Sequence, residues 1–181
     1  DSRIEMIIIN APNLLSICRI LLVPIVIYFY LYKIDGMEFL AGIVFILASI
    51  TDWLDGYLAR KFHTTSEVGS VLDLLADKIL VLVTLFFIVS VYSDILLTIL
   101  SCLILIREII ILSVRSVYGQ HQMKVIYLGK VKTFFQMFAI ALLLMIDSRY
   151  ETGLFILAEG VLLLSVIIGY LSLWAYLQKL K

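Results

Sequence analysis

Asp52-Trp53-Leu54-Asp55-Gly56-Tyr57-Leu58-Ala59-Arg60 is followed, after eight residues, by Gly69-Ser70-Val71-Leu72-Asp73-Leu74-Leu75-Ala76-Asp77. At ~100° per helical residue, Asp52 and Asp55 share one face at i, i+3, and Asp73 and Asp77 share one face at i, i+4. The surroundings are strongly apolar. An acidic side chain within a membrane span costs roughly 2.5–3.5 kcal/mol, so four of them in neighbouring segments call for a compensating partner. A divalent cation fits: carboxylates are the hard oxygen ligands that Mg²⁺, Mn²⁺ or Ca²⁺ take, and no His or Cys stands in the motif to favour zinc. Gly56 and Gly69 let a neighbouring helix or a ligand approach the backbone, Ala59 extends that smooth surface, and Arg60 supplies a cation suited to phosphate.

Composition places the motif in a bilayer. Hydrophobic residues make up 63% of the chain and charged ones 15%, with a mean hydropathy of +1.11, far from the half-apolar, quarter-charged balance of soluble domains. A span takes roughly 20 apolar residues, so 181 residues accommodate about six helices and no sizeable soluble domain. The expected fold is all-α, an integral membrane bundle of six transmembrane helices with short loops, over 12–32, 38–60, 67–92, 94–117, 128–147 and 152–177. Residues 1–5 read as a cloning or fusion remnant ahead of Met6, and 6–181 as a single membrane-embedded catalytic domain. The formal net charge is zero, and nothing in the pattern points to nucleic acid.

Basic residues set the orientation. With six spans, one set of ends holds Arg3, Arg19, Arg60, Lys61, Lys124, Lys130, Lys132, Lys179 and Lys181, while the other holds Lys33 and Arg149. The positive-inside rule then puts both termini and the aspartate motif on the cytoplasmic side of the cell's inner membrane. Asp52 lies ~12 Å inward of Arg60 at 1.5 Å per residue.

The string D-x-x-D-G-x-x-A-R, then G-x-x-x-D-x-x-x-D, resembles the signature of the CDP-alcohol phosphotransferases, membrane enzymes that move a phosphatidyl or related group from a CDP-linked donor to an alcohol. The opening Asn10-Ala11-Pro12-Asn13-Leu14-Leu15-Ser16-Ile17-Cys18-Arg19 is similar to the N-P-N-x-[LI]-[TS]-x-x-R start of bacterial members, placing Asn13 and Arg19 at phosphate depth; it also reads simply as a capped interfacial helix start. The resemblance implies that Asp52, Asp55, Asp73 and Asp77 hold two ions, Mg²⁺ or Mn²⁺. It implies too that Asp77 deprotonates the acceptor, that Gly56, Ala59, Arg60, Gly69 and Asn13 hold the CDP-lipid, and that the protein is a homodimer.

Two further segments bear on the acceptor. Arg107 and Arg115 differ by about 80° around the fourth helix, with Glu108 roughly beneath Arg115, so the arginines can line one cavity while Glu108 either pairs internally or meets substrate. Gly129-Lys130-Val131-Lys132-Thr133-Phe134-Phe135-Gln136 opens the fifth span, where Lys130 and Lys132 read either as snorkelling anchors or as part of a basic pocket. Arg107, Arg115, Lys130 and Lys132 together suit an alcohol that already carries phosphate. G-K-x-K-T-x-x-Q after R-E is similar to the branch of the family that uses CDP-diacylglycerol as donor and sn-glycerol 3-phosphate as acceptor. Phosphatidylglycerol and inositol phosphate remain alternative acceptors. Different classes are a prenyltransferase, which would leave A-R and the second glycine unexplained, and a cation or proton transporter, whose repeated halves are not visible here.

The remaining features read plainly: Cys18 and Cys102 as unpaired, buried hydrophobes, His63 and His121 as solvated loop residues, and Tyr28, Tyr30, Tyr32, Trp174 and Tyr176 as interface anchors. Glu159 has no account from sequence beyond facing another helix or a second copy. If Asp77 is the base, Asp77→Asn retains donor binding but loses transfer by at least the 10²–10⁴-fold typical of general-base assistance. Turnover and CDP-diacylglycerol binding measured on the same preparation check this, and normal turnover removes Asp77 from that role.

Overall fold

A computed structural model describes residues 11–32, 36–62, 67–118, 127–146 and 152–178, with the side chains of 11–15, 52–62, 67–73, 115–118 and 152 outside the description. Six helices follow one another: α1 (Ala11–Leu31), α2 (Met37–Phe62), α3 (Glu67–Tyr92), α4 (Ile95–Tyr118), α5 (Tyr127–Met145) and α6 (Thr152–Gln178). The expected spans match these to within two residues at every end, and the fold class is all-α as expected. By length and composition, Leu74–Tyr92, Ile95–Val114, Tyr127–Met145 and Gly153–Gln178 are long and apolar enough to cross a membrane, and Ser16–Leu31 and Met37–Thr51 are shorter apolar stretches, all among the described residues. This is a multi-pass membrane protein.

The chain packs as two units, residues 1–87 and 88–181. In the first, α1 lies against α2, burying Val23, Val26, Ala41, Phe45 and Ala48. The alanines let the backbones approach, which drives helix association where lipid is as apolar as Leu. Tyr30 sits edge-on to Phe87 with centroids 5.4 Å apart and is buried, so it is a core residue rather than the interface anchor expected. Tyr28, Tyr32 and Trp174 are exposed, as an anchor must be. Arg19 and Ser16 are fully buried in this unit.

In the second unit α5 packs along α6, and α6 against α4. Small side chains again line the seam: Ala139 and Ala141 on α5, Ala158, Ser165 and Ser172 on α6. Tyr176 is buried with Ile111 and Leu173, which corrects its reading as an anchor. Cys18 and Cys102 are unpaired but exposed. On an outer helix face lipid supplies the apolar surroundings that a protein core would supply, so burial was not required. Tyr92 Oη donates to the carbonyls of Leu143 and Ile146 at 3.0 and 3.1 Å and its ring lies 4.8 Å from Phe155. Tyr170 Oη donates to Leu103 O at 3.1 Å, fixing the rotation of α6 against α4.

Two residues, Ser93 and Asp94, link α3 to α4. Ser93 adopts φ 51°, a left-handed conformation that costs an L-residue roughly 1–2 kcal/mol and is held here by the tightness of the turn. Asp94 then caps α4, accepting from the Leu97 amide at 2.8 Å. That amide chiefly, with the neighbouring Glu159 side chain adding to it against the opposing pull of partial burial, holds the Asp94 carboxyl below its ordinary value of 3.8. Glu159, buried on α6, therefore answers the cap of α4 within its own unit.

Asp94→Ala removes this cap and destabilises the protein by about 1 kcal/mol, read as a lower apparent thermal midpoint in detergent at neutral pH. Because the folded state depresses this carboxyl, its contribution is complete above 3.8 and lost as pH falls through the lower folded value, so strong acid closes the gap between variant and parent. A gap that widens in acid contradicts this.

Candidate functional site

Three of the four buried charged side chains described in the second unit gather at one place. Arg107 and Glu108 lie in the span Ile95–Val114 and Lys132 in Tyr127–Met145, and all three are nine-tenths buried or more. Glu108 Oε1 accepts from Arg107 Nη1 at 2.7 Å and from Lys132 Nζ at 2.5 Å. Neighbours in sequence on one helix do not face each other, so the bond to Glu108 is made by the Arg107 side chain folding back along the helix surface. α5 brings Lys132 to the same oxygen from 24 residues away. Two cations thus converge on one carboxylate, leaving one positive charge in excess among the three. Arg107 Nε is buried with no hydrogen-bond partner.

One turn further along α5, Gln136 is almost fully buried, 2% exposed, and its Oε1 has no hydrogen-bond partner among the described residues. Gln136 continues the Lys132 face at i, i+4. Lys130 does not: two residues earlier and about 200° around the helix, it is exposed, the position of a snorkelling anchor. Glu108 takes the internal-pairing reading, and it pairs with both Arg107 and Lys132. Sequence spacing gave no sign of the second contact.

α6 completes the surroundings through Gly169, where a Cβ would stand 3.3 Å from Lys132 Cγ, 3.5 Å from its Cδ and 3.8 Å from Arg107 Nε. The sequence reading missed Gly169: it is one of three glycines on α6, and nothing in the sequence sets it apart from the other two.

In the first unit, α2 and α3 carry positions 52 and 55, and 73 and 77, as helix throughout, so the i, i+3 and i, i+4 spacings hold on the backbone. The side chains of Asp52, Asp55, Asp73, Ala59, Arg60 and Asn13, the surroundings of Gly56 and Gly69, and, in the second unit, the side chain of Arg115 lie outside the described residues. Among those described, no three His, Cys, Asp or Glu side chains gather as a metal site. Asp77 is described: its Oδ1 is buried with no hydrogen-bond partner, and Lys78 Nζ lies 3.7 Å from Oδ2. A buried carboxylate oxygen left without a donor, at the end of a run of four acids, suits a hard divalent cation.

The sequence that carries this acidic motif is similar to known proteins along almost its whole length. The model of the CDP-alcohol phosphatidyltransferase family matches residues 9–175, and the chain belongs to that family. Among its relatives, a protein of Wigglesworthia glossinidia brevipalpis is 36% identical over 174 residues, 93% of each chain. A protein of Haemophilus influenzae is 35% identical over 176 residues, 95% of this chain and 94% of that one. One of Escherichia coli K12 is 32% identical over 176 residues, covering 95% and 93%. All three bear the name CDP-diacylglycerol--glycerol-3-phosphate 3-phosphatidyltransferase.

Glu108→Gln keeps the shape and removes the charge, leaving two buried cations with a neutral neighbour. The loss is on the order of 3 kcal/mol, since breaking a buried ion pair strands its partners. The apparent thermal midpoint of Glu108→Gln falls well below that of Lys130→Ala, which stays at the parent value; equal midpoints would remove Glu108 from this structural role.

Proposed function

We propose that this chain transfers the phosphatidyl group of CDP-diacylglycerol to sn-glycerol 3-phosphate, giving phosphatidylglycerol phosphate and CMP. Family membership and the shared name of relatives aligned over almost the whole chain support the reaction. The observation that carries the acceptor is the buried Arg107–Glu108–Lys132 group: its excess positive charge, deep in apolar helices, suits an alcohol that brings its own phosphate.

In this reading Asp52, Asp55, Asp73 and Asp77 would hold the divalent ions, two of Mg²⁺ or Mn²⁺. Such ions neutralise the pyrophosphate oxygens and the leaving CMP when bound. Gly56 and Gly69 leave room for the CDP-lipid at the backbone, with Ala59, Arg60 and Asn13 beside it. Arg107 and Lys132, with Arg115 from the end of α4, hold the acceptor phosphate; Glu108 keeps the first two in place. Lys130 contributes only long-range attraction from the membrane surface. Asp77 accepts the proton of the acceptor hydroxyl as its oxygen attacks the lipid-side phosphorus, and the bond from that phosphorus to the CMP oxygen breaks. The distribution of basic residues supports a site facing the cytoplasm in the inner membrane. A homodimer rests on the family resemblance.

Purified protein with Mg²⁺ and labelled CDP-diacylglycerol, offered glycerol 3-phosphate, glycerol, inositol phosphate or phosphatidylglycerol in parallel, tests the proposal. Labelled phosphatidylglycerol phosphate with glycerol 3-phosphate and no lipid product with glycerol are expected. Product with phosphatidylglycerol or inositol phosphate instead overturns the acceptor; no metal-dependent CMP release with any alcohol overturns the enzyme and leaves a transporter as the reading.

A further inference from the structure

We propose that Gly169 is a positioning residue for the acceptor phosphate, setting the depth of the Lys132 ammonium through the carbon stem of that lysine. The inference rests on the reading of Arg107 and Lys132 as the phosphate-holding pair.

Lys132 is fixed at two points. Its Nζ is on Glu108 Oε1 at 2.5 Å, and its stem lies on the α6 backbone at Gly169, where an added Cβ would come within 3.3 Å of Cγ and 3.5 Å of Cδ. The first distance is tighter than side-chain packing normally allows, so either the stem or the helix must give by a few tenths of an ångström. Neither gives freely. The stem cannot retreat while its ammonium stays on Glu108, and α6 is pinned next door by the hydrogen bond from Tyr170 to Leu103 O. The other glycines on α6 differ: a Cβ at Gly153 or Gly160 meets nothing within 4 Å. Gly169 is the α6 glycine whose missing side chain touches the site, and the same spot lies 3.8 Å from Arg107 Nε, the buried donor without a partner. A methyl there displaces one cation and crowds the other.

The test compares Gly169→Ala, Gly160→Ala, Lys132→Ala and the double variant Gly169→Ala/Lys132→Ala in lipid nanodiscs, with KM measured separately for glycerol 3-phosphate and CDP-diacylglycerol. Gly169→Ala raises the acceptor KM by about tenfold and leaves the donor KM within about twofold, while Gly160→Ala changes neither. Because Gly169 acts through Lys132, the double variant shows no higher acceptor KM than Lys132→Ala alone, where the shortened stem leaves room for the methyl. An unchanged acceptor KM in Gly169→Ala beside a raised one in Lys132→Ala overturns the positioning role and leaves the acceptor site standing. Unchanged acceptor KM in both overturns the acceptor site itself. Equal rises in both KM values, or multiplicative effects in the double variant, reduce Gly169 to a packing residue and overturn the inference. Should Gly169→Ala alone not fold, the double variant decides: an acceptor KM above that of Lys132→Ala contradicts action through the lysine.

Discussion

A charge inside an apolar helix must be answered by another charge, and Glu108 is where this chain answers two at once. Its Oε1 receives Arg107 from its own helix and Lys132 from α5, so the carboxylate joins α4 to α5 at a depth where hydration is costly to lose. α6 closes the arrangement without contributing a charge, through the glycine at 169 and the tyrosine at 170. The packing of the second unit and the placing of its cations are one arrangement, and α4 cannot turn without carrying Arg107 and Glu108 with it.

The same rule covers the first unit with the signs reversed. Four acids on α2 and α3 have no matching set of basic residues among their sequence neighbours beyond Arg60, Lys61 and Lys78. Asp77 Oδ1 is left buried and without a hydrogen bond. An acidic group suited to cations and a basic group suited to a phosphate ester are the two requirements of a reaction that breaks a pyrophosphate and joins the lipid-side phosphorus to a phosphorylated alcohol. In the proposed function the acidic group serves the donor and the basic group the acceptor.

Much of this was legible in the sequence. Helix ends followed from Gly and polar breaks because a span must be apolar over its length, and the aspartate spacing needed only helical periodicity. What could not be read depends on how helices turn against one another. Lys130 and Lys132 are equivalent as residue types, and only the rotation of α5 buries one and exposes the other. Tyr30 and Tyr176 sit near span ends like anchors, yet face protein rather than headgroups. The place of Glu159 depends on α6, which brings it to Asp94, the cap of α4. Gly169 carries no chemistry of its own, so its place against Lys132 emerges only from the approach of two backbones.

Equilibrium binding of labelled glycerol 3-phosphate to the protein in nanodiscs, without donor lipid, tests the central claim that the buried cations are held for a phosphate ester. Saturable binding that unlabelled inorganic phosphate displaces and glycerol does not, and that Lys132→Met abolishes, is the expected result. Binding that glycerol displaces equally, or that survives intact in both Lys132→Met and Arg107→Met, contradicts it.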